Sequence, residues 1–392
     1  MRVSTGERTE GAGVVVRPAI SAGWQAAFLF FAIAAVLFLI GGLSLAHLPY
    51  TGTDLRRTPF PGRPWLGMWA HWDAGWYRDI ADRGYWEFVP GRQGPLAFFP
   101  AYPLLMRAGR AIVGDTLLAG VMVTCAAGAV AAGLFYTWLK ERLSPAAAWT
   151  ALLLFLLFPF SYYLYGAVYA DSVFIAFALA AFLLVERGHP WLGGVAGAVA
   201  TAARPVGFVL VISLAILVVH KRGGWRHLTW RDSGVLLAGL GVGAFALYCW
   251  AAFGRPLAFV DAQQGWNQTP GLETWLKVQF FKDVQDFSSP LAWLVFVSHP
   301  ILTLAGLALV PRVVRRLGWA YGSFALLGLA ISAVSTKNFF GMSRYVLSAF
   351  PCFAVAGELL APRVRLRAAA LAGSGLTLAA ATSFFARGHY LS

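Results

Sequence analysis

Long apolar runs alternate along this chain with short polar gaps, and none shows the two-residue alternation of a barrel strand. Such runs approach the roughly 20 residues that carry a helix across about 30 Å of hydrocarbon. The pattern predicts about eleven crossings, near 24–46, 114–139, 146–166, 170–186, 191–203, 205–220, 233–253, 291–310, 318–335, 343–361 and 368–386. The fifth and sixth are short and meet at Arg204–Pro205. Proline disfavours helix at the residue before it, so 191–220 forms either two short helices or one re-entrant element. The expected fold is all-α and polytopic, with one membrane domain over 24–386, a disordered cytoplasmic leader at 1–23 and a tail at 387–392. The first run is too long for the apolar core of a cleaved signal peptide and reads as a retained anchor.

Composition sharpens this picture. The 392 residues are 59% hydrophobic and 12% charged, more apolar surface than a soluble globule can cover. The 31 basic and 17 acidic residues give a net charge of +14, which in a soluble chain would point to nucleic acid. Here the basic residues cluster in short gaps around Lys140, Arg187, Lys221, Arg312 and Arg363, as expected of cytoplasmic loops, so the bilayer is the expected partner and nucleic acid is not. The segments 47–113, 160–171, the Arg204 turn, 254–290 and 336–344 then fall on the opposite, extracytoplasmic face. The first is itself basic, with Arg56, Arg57, Arg63, Arg78, Arg83, Arg92, Arg107 and Arg110, but loops longer than about 60 residues largely escape the charge rule. Cys125, Cys249 and Cys352 each lie in an apolar run, with neither metal-ligand nor disulfide spacing. The Ala-, Gly-, Val- and Arg-rich composition suggests a bacterial chain, and hence the plasma (cell inner) membrane.

The chemistry-bearing residues gather in those extracytoplasmic segments. Asp73 follows Trp72 in a tryptophan-rich run, 65–75, suited to an interfacial helix. A carboxylate there could take a proton from an attacking hydroxyl; the commoner roles of an Asp so placed are to cap a helix or to form a salt bridge, for example with Arg78. Glu87, with Tyr85 and Trp86, could bind sugar hydroxyls and faces, although interfacial anchoring explains the rings as well. Asp171 begins a helix, where it would favour the dipole or assist Asp73. Arg204 lies between two apolar runs, where a phosphate-binding role and snorkelling to the headgroups are nearly balanced. Lys337, Asn338, Ser343, Arg344 and Tyr345 form a second polar cluster whose cations would suit a phosphate. Gln264, Trp266 and Asn267 in 254–290 have a composition fit for an acceptor. His47, His71, His220 and His299 are scattered without zinc-site spacing, and no phosphate-loop motif is present. Gly193, Gly194 and Gly197 read as close helix packing, not a nucleotide cradle.

Several of these segments together resemble one family. Trp72–Asp73, Ile80–Ala81, Gly84–Tyr85, Glu87 and Ala97–Phe98–Phe99–Pro100 with Tyr102–Pro103 are similar to the first-loop pattern of the PIG-V family, which includes the second mannosyltransferase of GPI-anchor synthesis. Phe158–Pro159 with Tyr169–Ala170–Asp171–Ser172, Ala203–Arg204–Pro205–Val206–Gly207 and Ser343–Arg344–Tyr345 with Pro351 resemble its later segments in the same order. Asp171 stands where that family has Glu, and Pro205 where it has Ser. The resemblance implies a GT-C glycosyltransferase with a catalytic Asp73, a polyprenyl-phosphate sugar donor and no implied cofactor. The function expected is inverting transfer of mannose from polyprenyl-phosphate-mannose to a glycan or glycolipid acceptor. Arg344, Arg204 and Lys337 would face the donor phosphate, while Glu87, Asp171, Trp72, Tyr85, Gln264 and Trp266 would face sugar or acceptor. The alternatives are a transporter or flippase of a lipid-linked sugar, or a GT-C transferase with another sugar or a protein acceptor.

Overall fold

The computed structural model describes residues 20–52, 64–266, 268, 270–286 and 290–391. The leader up to residue 19, Arg56, Arg57, Arg63 and Asn267 lie outside the described residues. Among the described residues every regular element is helical. In chain order the α-helices are α1 (Ile20–His47), α2 (Pro64–Gly67), α3 (Ala74–Arg83), α4 (Ala101–Val113), α5 (Thr116–Lys140), α6 (Pro145–Leu156), α7 (Tyr162–Tyr165), α8 (Asp171–Glu186), α9 (Pro190–Thr201) and α10 (Phe208–Lys221). They continue with α11 (Leu240–Phe253), α12 (Ala258–Asp261), α13 (Leu272–Trp275), α14 (Val278–Asp283), α15 (Pro290–Leu317), α16 (Trp319–Ser335), α17 (Met342–Ser348), α18 (Phe350–Leu360) and α19 (Val364–Ala386). Five described segments are long and apolar enough to cross a membrane: Gly23–His47, Thr116–Lys140, Trp230–Phe253, Ala292–Leu317 and Val364–Ala386.

Local chemistry sets several boundaries. Asp115 caps α5 by accepting the Leu118 N–H at 2.7 Å, and Ser144 precedes Pro145 at the start of α6. The Arg204–Pro205 step does break the helix. Arg204 is extended (φ −145°, ψ 143°), and two helices, α9 and α10, stand on either side. They part company: α9 packs between α8 and the 3-10 turn Trp230–Gly239, whereas α10 packs on α16. Gly194 permits the first contact, since a Cβ there would fall 2.0 Å from the Gly234 carbonyl oxygen.

Three expected helices are shorter or more broken than the hydrophobic pattern suggests. The run 146–166 leaves helix at Leu156, ahead of Pro159, and winds through a buried turn to Asp171. Its freed carbonyls are not wasted: Ser161 Oγ donates to Phe155 O at 2.6 Å and Tyr165 Oη to Leu156 O at 2.9 Å. The run 343–361 breaks at Ala349, just before Pro351, into α17 and α18. The interfacial run 65–75 is not one helix. After the single turn of α2, Trp72 adopts a left-handed backbone (φ +57°) and α3 begins only at Ala74.

The ends of α8 carry the two ion clusters that matter. At its last residue, Glu186 pairs with Arg142 and accepts from Tyr321 Oη at 2.8 Å, while Lys221 Nζ donates to the Val185 and Glu186 carbonyls. Arg187 joins Glu141 at 3.0 Å. Three of the basic gaps in the sequence thus converge at one end of the bundle. Asp171 opens the other end, about 22 Å away at 1.5 Å per helical residue.

Candidate functional site

Four separated segments deliver one alternating row of charges. Asp73 sits where the left-handed turn meets α3, Asp171 is the first residue of α8, Arg204 belongs to the broken helix pair, and Arg344 lies in α17. Arg344 Nη1 donates to Asp73 Oδ2 at 3.2 Å, while its Nε and Nη2 both donate to Asp171 Oδ2, at 3.1 and 2.8 Å. Arg204 Nη1 pairs with the other Asp171 oxygen and donates to Ser348 Oγ at 3.2 Å. Asp171 is fully buried, so its two guanidinium partners are a physical necessity: an isolated carboxylate in this position would be driven to neutralise.

Aromatic rings complete the enclosure. Arg344 stacks on Tyr169 and Tyr163, with its guanidinium carbon 4.6 and 5.0 Å from the ring centres, and Arg204 lies 4.5 Å over Tyr345. Tyr169 also fixes the turn: its hydroxyl accepts the Asp73 N–H at 3.3 Å and donates to His71 O at 3.4 Å. Asp73 occupies the cap position of α3 yet makes no side-chain capping bond, and Arg78 pairs with neighbouring Asp79 instead. Asp73 is thus a salt-bridged aspartate, as one structural reading of the sequence expects, but its partner is Arg344 and not Arg78. Its carboxyl is held above the ordinary aspartate range, chiefly by burial, against the opposing pull of Arg344.

Asp73, Arg204 and Arg344 line a cavity of about 1020 Å³. Its lining mixes polar residues, Asp261 at the end of α12 and Gln263, Gln264 and Gln268 after it, with exposed apolar ones, Val260 of α12, Phe208 of α10, and Ile331 and Val334 of α16; Trp266 lines it as well. Arg344 uses three of its five N–H donors on carboxylates, leaving two for a ligand.

Other residues singled out from sequence lie elsewhere or act differently. Glu87 is exposed and off the cavity wall. Tyr85 turns its hydroxyl onto Phe98 O at 2.7 Å and packs its ring against Phe245 and Tyr248. Trp72 packs on Tyr390 behind the wall. Asp171 is sealed beneath Arg344 and does not line the cavity; its two oxygens are taken up by Arg344 and Arg204. Lys337 contributes its backbone N–H to Gln268 Oε1 at 2.9 Å, and its side chain is not on the wall. Lys277, which the sequence did not suggest, is nearly buried there: its Nζ donates to Thr336 O, and burial pushes its ammonium down to about 8. Tyr163 and Ser348 were also missed, and Tyr169 was noted only as part of the motif around Asp171. The dense run Tyr162–Tyr163–Leu164–Tyr165 was the signal for Tyr163, and none marked Ser348.

Removing Asp171 should destabilise the whole chain, because it leaves two guanidinium groups buried around a void. Asp171→Ala is expected to cost about 3–5 kcal/mol. Thermal unfolding in detergent measures it, and an unchanged midpoint would contradict the network's structural role.

No family model matches this chain, and no curated protein does. Solved structures do. The chain superposes on ArnT from Cupriavidus metallidurans bound to undecaprenyl phosphate with a TM-score of 0.55 at 14% identity, over 95% of this chain and 78% of that one. The Archaeoglobus fulgidus oligosaccharyltransferase in its apo form aligns at a TM-score of 0.49 and 14% identity, over 92% of this chain and 57% of that one. Its complex with Zn and sulfate gives 0.45 at 14% identity, over 90% and 53%. The chain spans a little over half the length of those oligosaccharyltransferase chains. At this identity the likeness to ArnT is one of fold, and the fold is GT-C: all-helical and multi-pass, with a long first loop carrying Asp73.

Proposed function

We propose that this chain is an inverting membrane glycosyltransferase that moves mannose from a polyprenyl-phosphate donor to a glycan or glycolipid acceptor on the extracytoplasmic face. The observation that carries the reading is the Asp73–Arg344 pair, 3.2 Å apart on the wall of a cavity lined by both polar and exposed apolar residues. The donor's hydrocarbon tail fits the exposed apolar side chains of Phe208, Ile331 and Val334, and its phosphate fits the two remaining N–H donors of Arg344. The acceptor enters from the side of Gln264 and Trp266. ArnT, the neighbour of like fold, is described with bound undecaprenyl phosphate, which supports a lipid-linked donor. The PIG-V resemblance supports mannose. The single membrane domain over 24–386, with catalytic loop 47–113 and second loop 254–290, is part of the same proposal.

The chemistry balances within the chain's own groups. The acceptor oxygen attacks the anomeric carbon from the face opposite the phosphate, its proton passes to the Asp73 carboxylate, and the carbon–phosphate-oxygen bond breaks. The polyprenyl phosphate departs with the electron pair, and Arg344 stabilises the charge that develops on it. Asp171 holds Arg344 in place through two hydrogen bonds. Arrival of the phosphate also brings a third anion to Arg344, beside Asp73 and Asp171. That weakens the guanidinium's pull on Asp73 and strengthens it as a base at the moment it is needed.

A pH–rate profile tests the assignment of Asp73. The base works only when deprotonated, and burial raises its proton affinity. Transfer should therefore fall in acid with a midpoint above the ordinary aspartate range, while Arg344 stays charged throughout. A profile flat down to that range would remove Asp73 from the role. The proposal as a whole is tested by assaying purified protein with a panel of polyprenyl-phosphate sugars. Mannose transfer is expected, and cleavage of none of them would overturn it.

A further inference from the structure

The end of α19 and the segment after it do not trail away; they are tied across the site at four points. Arg387 O accepts the Gly52 N–H at 3.1 Å, and Ala386 O accepts from His71 Nε2 at 3.2 Å. Thr51 Oγ1 and His389 Nε2 are hydrogen-bonded at 2.7 Å. Leu391 O accepts from His299 Nε2 at 3.0 Å, and the other nitrogen of that ring accepts the Ser343 N–H at 3.4 Å, one residue before Arg344. The crossing is tight. Gly388 has a left-handed backbone (φ +79°), and a Cβ there would lie 1.9 Å from the Tyr50 hydroxyl.

What this strap presents to the cavity is Tyr390. Its ring is wedged between Trp72 and Phe340, with centroids 4.8 and 5.2 Å away, yet 43% of the residue stays exposed and it lines the same cavity as Asp73 and Arg344. A packed core tyrosine would be covered on all sides, and a surface tyrosine would not share a cavity wall with the half-buried Asp73 carboxylate and Arg344 guanidinium. An aromatic ring fixed from behind and open in front offers the apolar C–H face of a sugar a stacking surface, with a hydroxyl at its rim. Trp72, which Tyr390 braces, is the left-handed residue that aims Asp73.

We propose that Tyr390 is a sugar-contacting residue of the site, the platform against which the donor's sugar rests while Arg344 holds its phosphate. The inference rests on the glycosyltransferase reading above. It assigns a specificity-determining contact to a segment that composition and motif leave as a tail.

The test separates sugar from phosphate by titrating the full-length protein with undecaprenyl phosphate and with undecaprenyl-phosphate-mannose. The wild-type chain should bind the mannosylated lipid more tightly. Tyr390→Ala should lower affinity for that lipid roughly tenfold and leave undecaprenyl phosphate within about threefold, which also reports an intact fold. Tyr390→Phe keeps the ring and should stay near wild type. Equal losses for the two lipids, unchanged discrimination in Tyr390→Ala, or a phenylalanine variant as poor as the alanine variant would each overturn the platform. Failure of the parent reading looks different: wild-type protein would then cleave no polyprenyl-phosphate sugar, whatever the state of Tyr390.

Discussion

Asp73→Asn is expected to reduce sugar transfer by about two to four orders of magnitude, the range typical of a lost general base. Asparagine keeps the size of the side chain and can still accept the Arg344 hydrogen bond, so the turn from His71 to α3 should survive. Tyr169 fixes that turn through the backbone of Asp73, not through its side chain. What disappears is the ability to take the acceptor's proton. Donor binding should stay close to wild type, because Arg344 keeps its two bonds to Asp171. The discriminating measurement is single-turnover transfer alongside lipid binding. A variant that binds and transfers normally would show that the proton goes elsewhere.

Arg344→Ala should be as damaging to turnover and more damaging to the fold. It removes the group expected to stabilise the departing phosphate, a loss of about 10²–10³ in rate for a single electrostatic donor. It also leaves Asp171 dependent on Arg204 alone and uncovers the faces of Tyr163 and Tyr169. Arg344→Lys separates the two effects. Lysine restores the charge but not the planar fork that serves Asp73 and Asp171 together, so stability should recover further than rate. Transfer kinetics and thermal unfolding of the two variants check this. Normal turnover in a folded Arg344→Ala chain would take the residue out of the phosphate role.

Much of the fold was legible because one physical requirement dominates it. Apolar runs mark the helices, and Pro205 marks the break between α9 and α10. The same rule misreads 146–166, since the buried turn after Leu156 is as apolar as the helix before it, and its hydrogen bonds come from Ser161 and Tyr165 side chains that periodicity does not weigh. The site was legible as residue types but not as an arrangement. Asp73, Asp171, Arg204 and Arg344 are separated by up to 271 positions, and no spacing says that Asp171 holds Arg344 while Arg344 holds Asp73. Glu87 and Lys337 had the right chemistry in the right loops, yet neither lines the cavity. Tyr390 was invisible because its role depends on a strap whose carbonyls accept from the Gly52 N–H and from the rings of His71 and His299.

The measurement that bears most directly on the account is the fate of a labelled undecaprenyl-phosphate-mannose in proteoliposomes holding the purified protein and a glycan acceptor. The account predicts cleavage of the sugar–phosphate bond, transfer to the acceptor with inverted anomeric configuration, and loss of both in Asp73→Asn. Recovery of the intact lipid-linked sugar on the other side of the bilayer, with no bond cleaved, would contradict it.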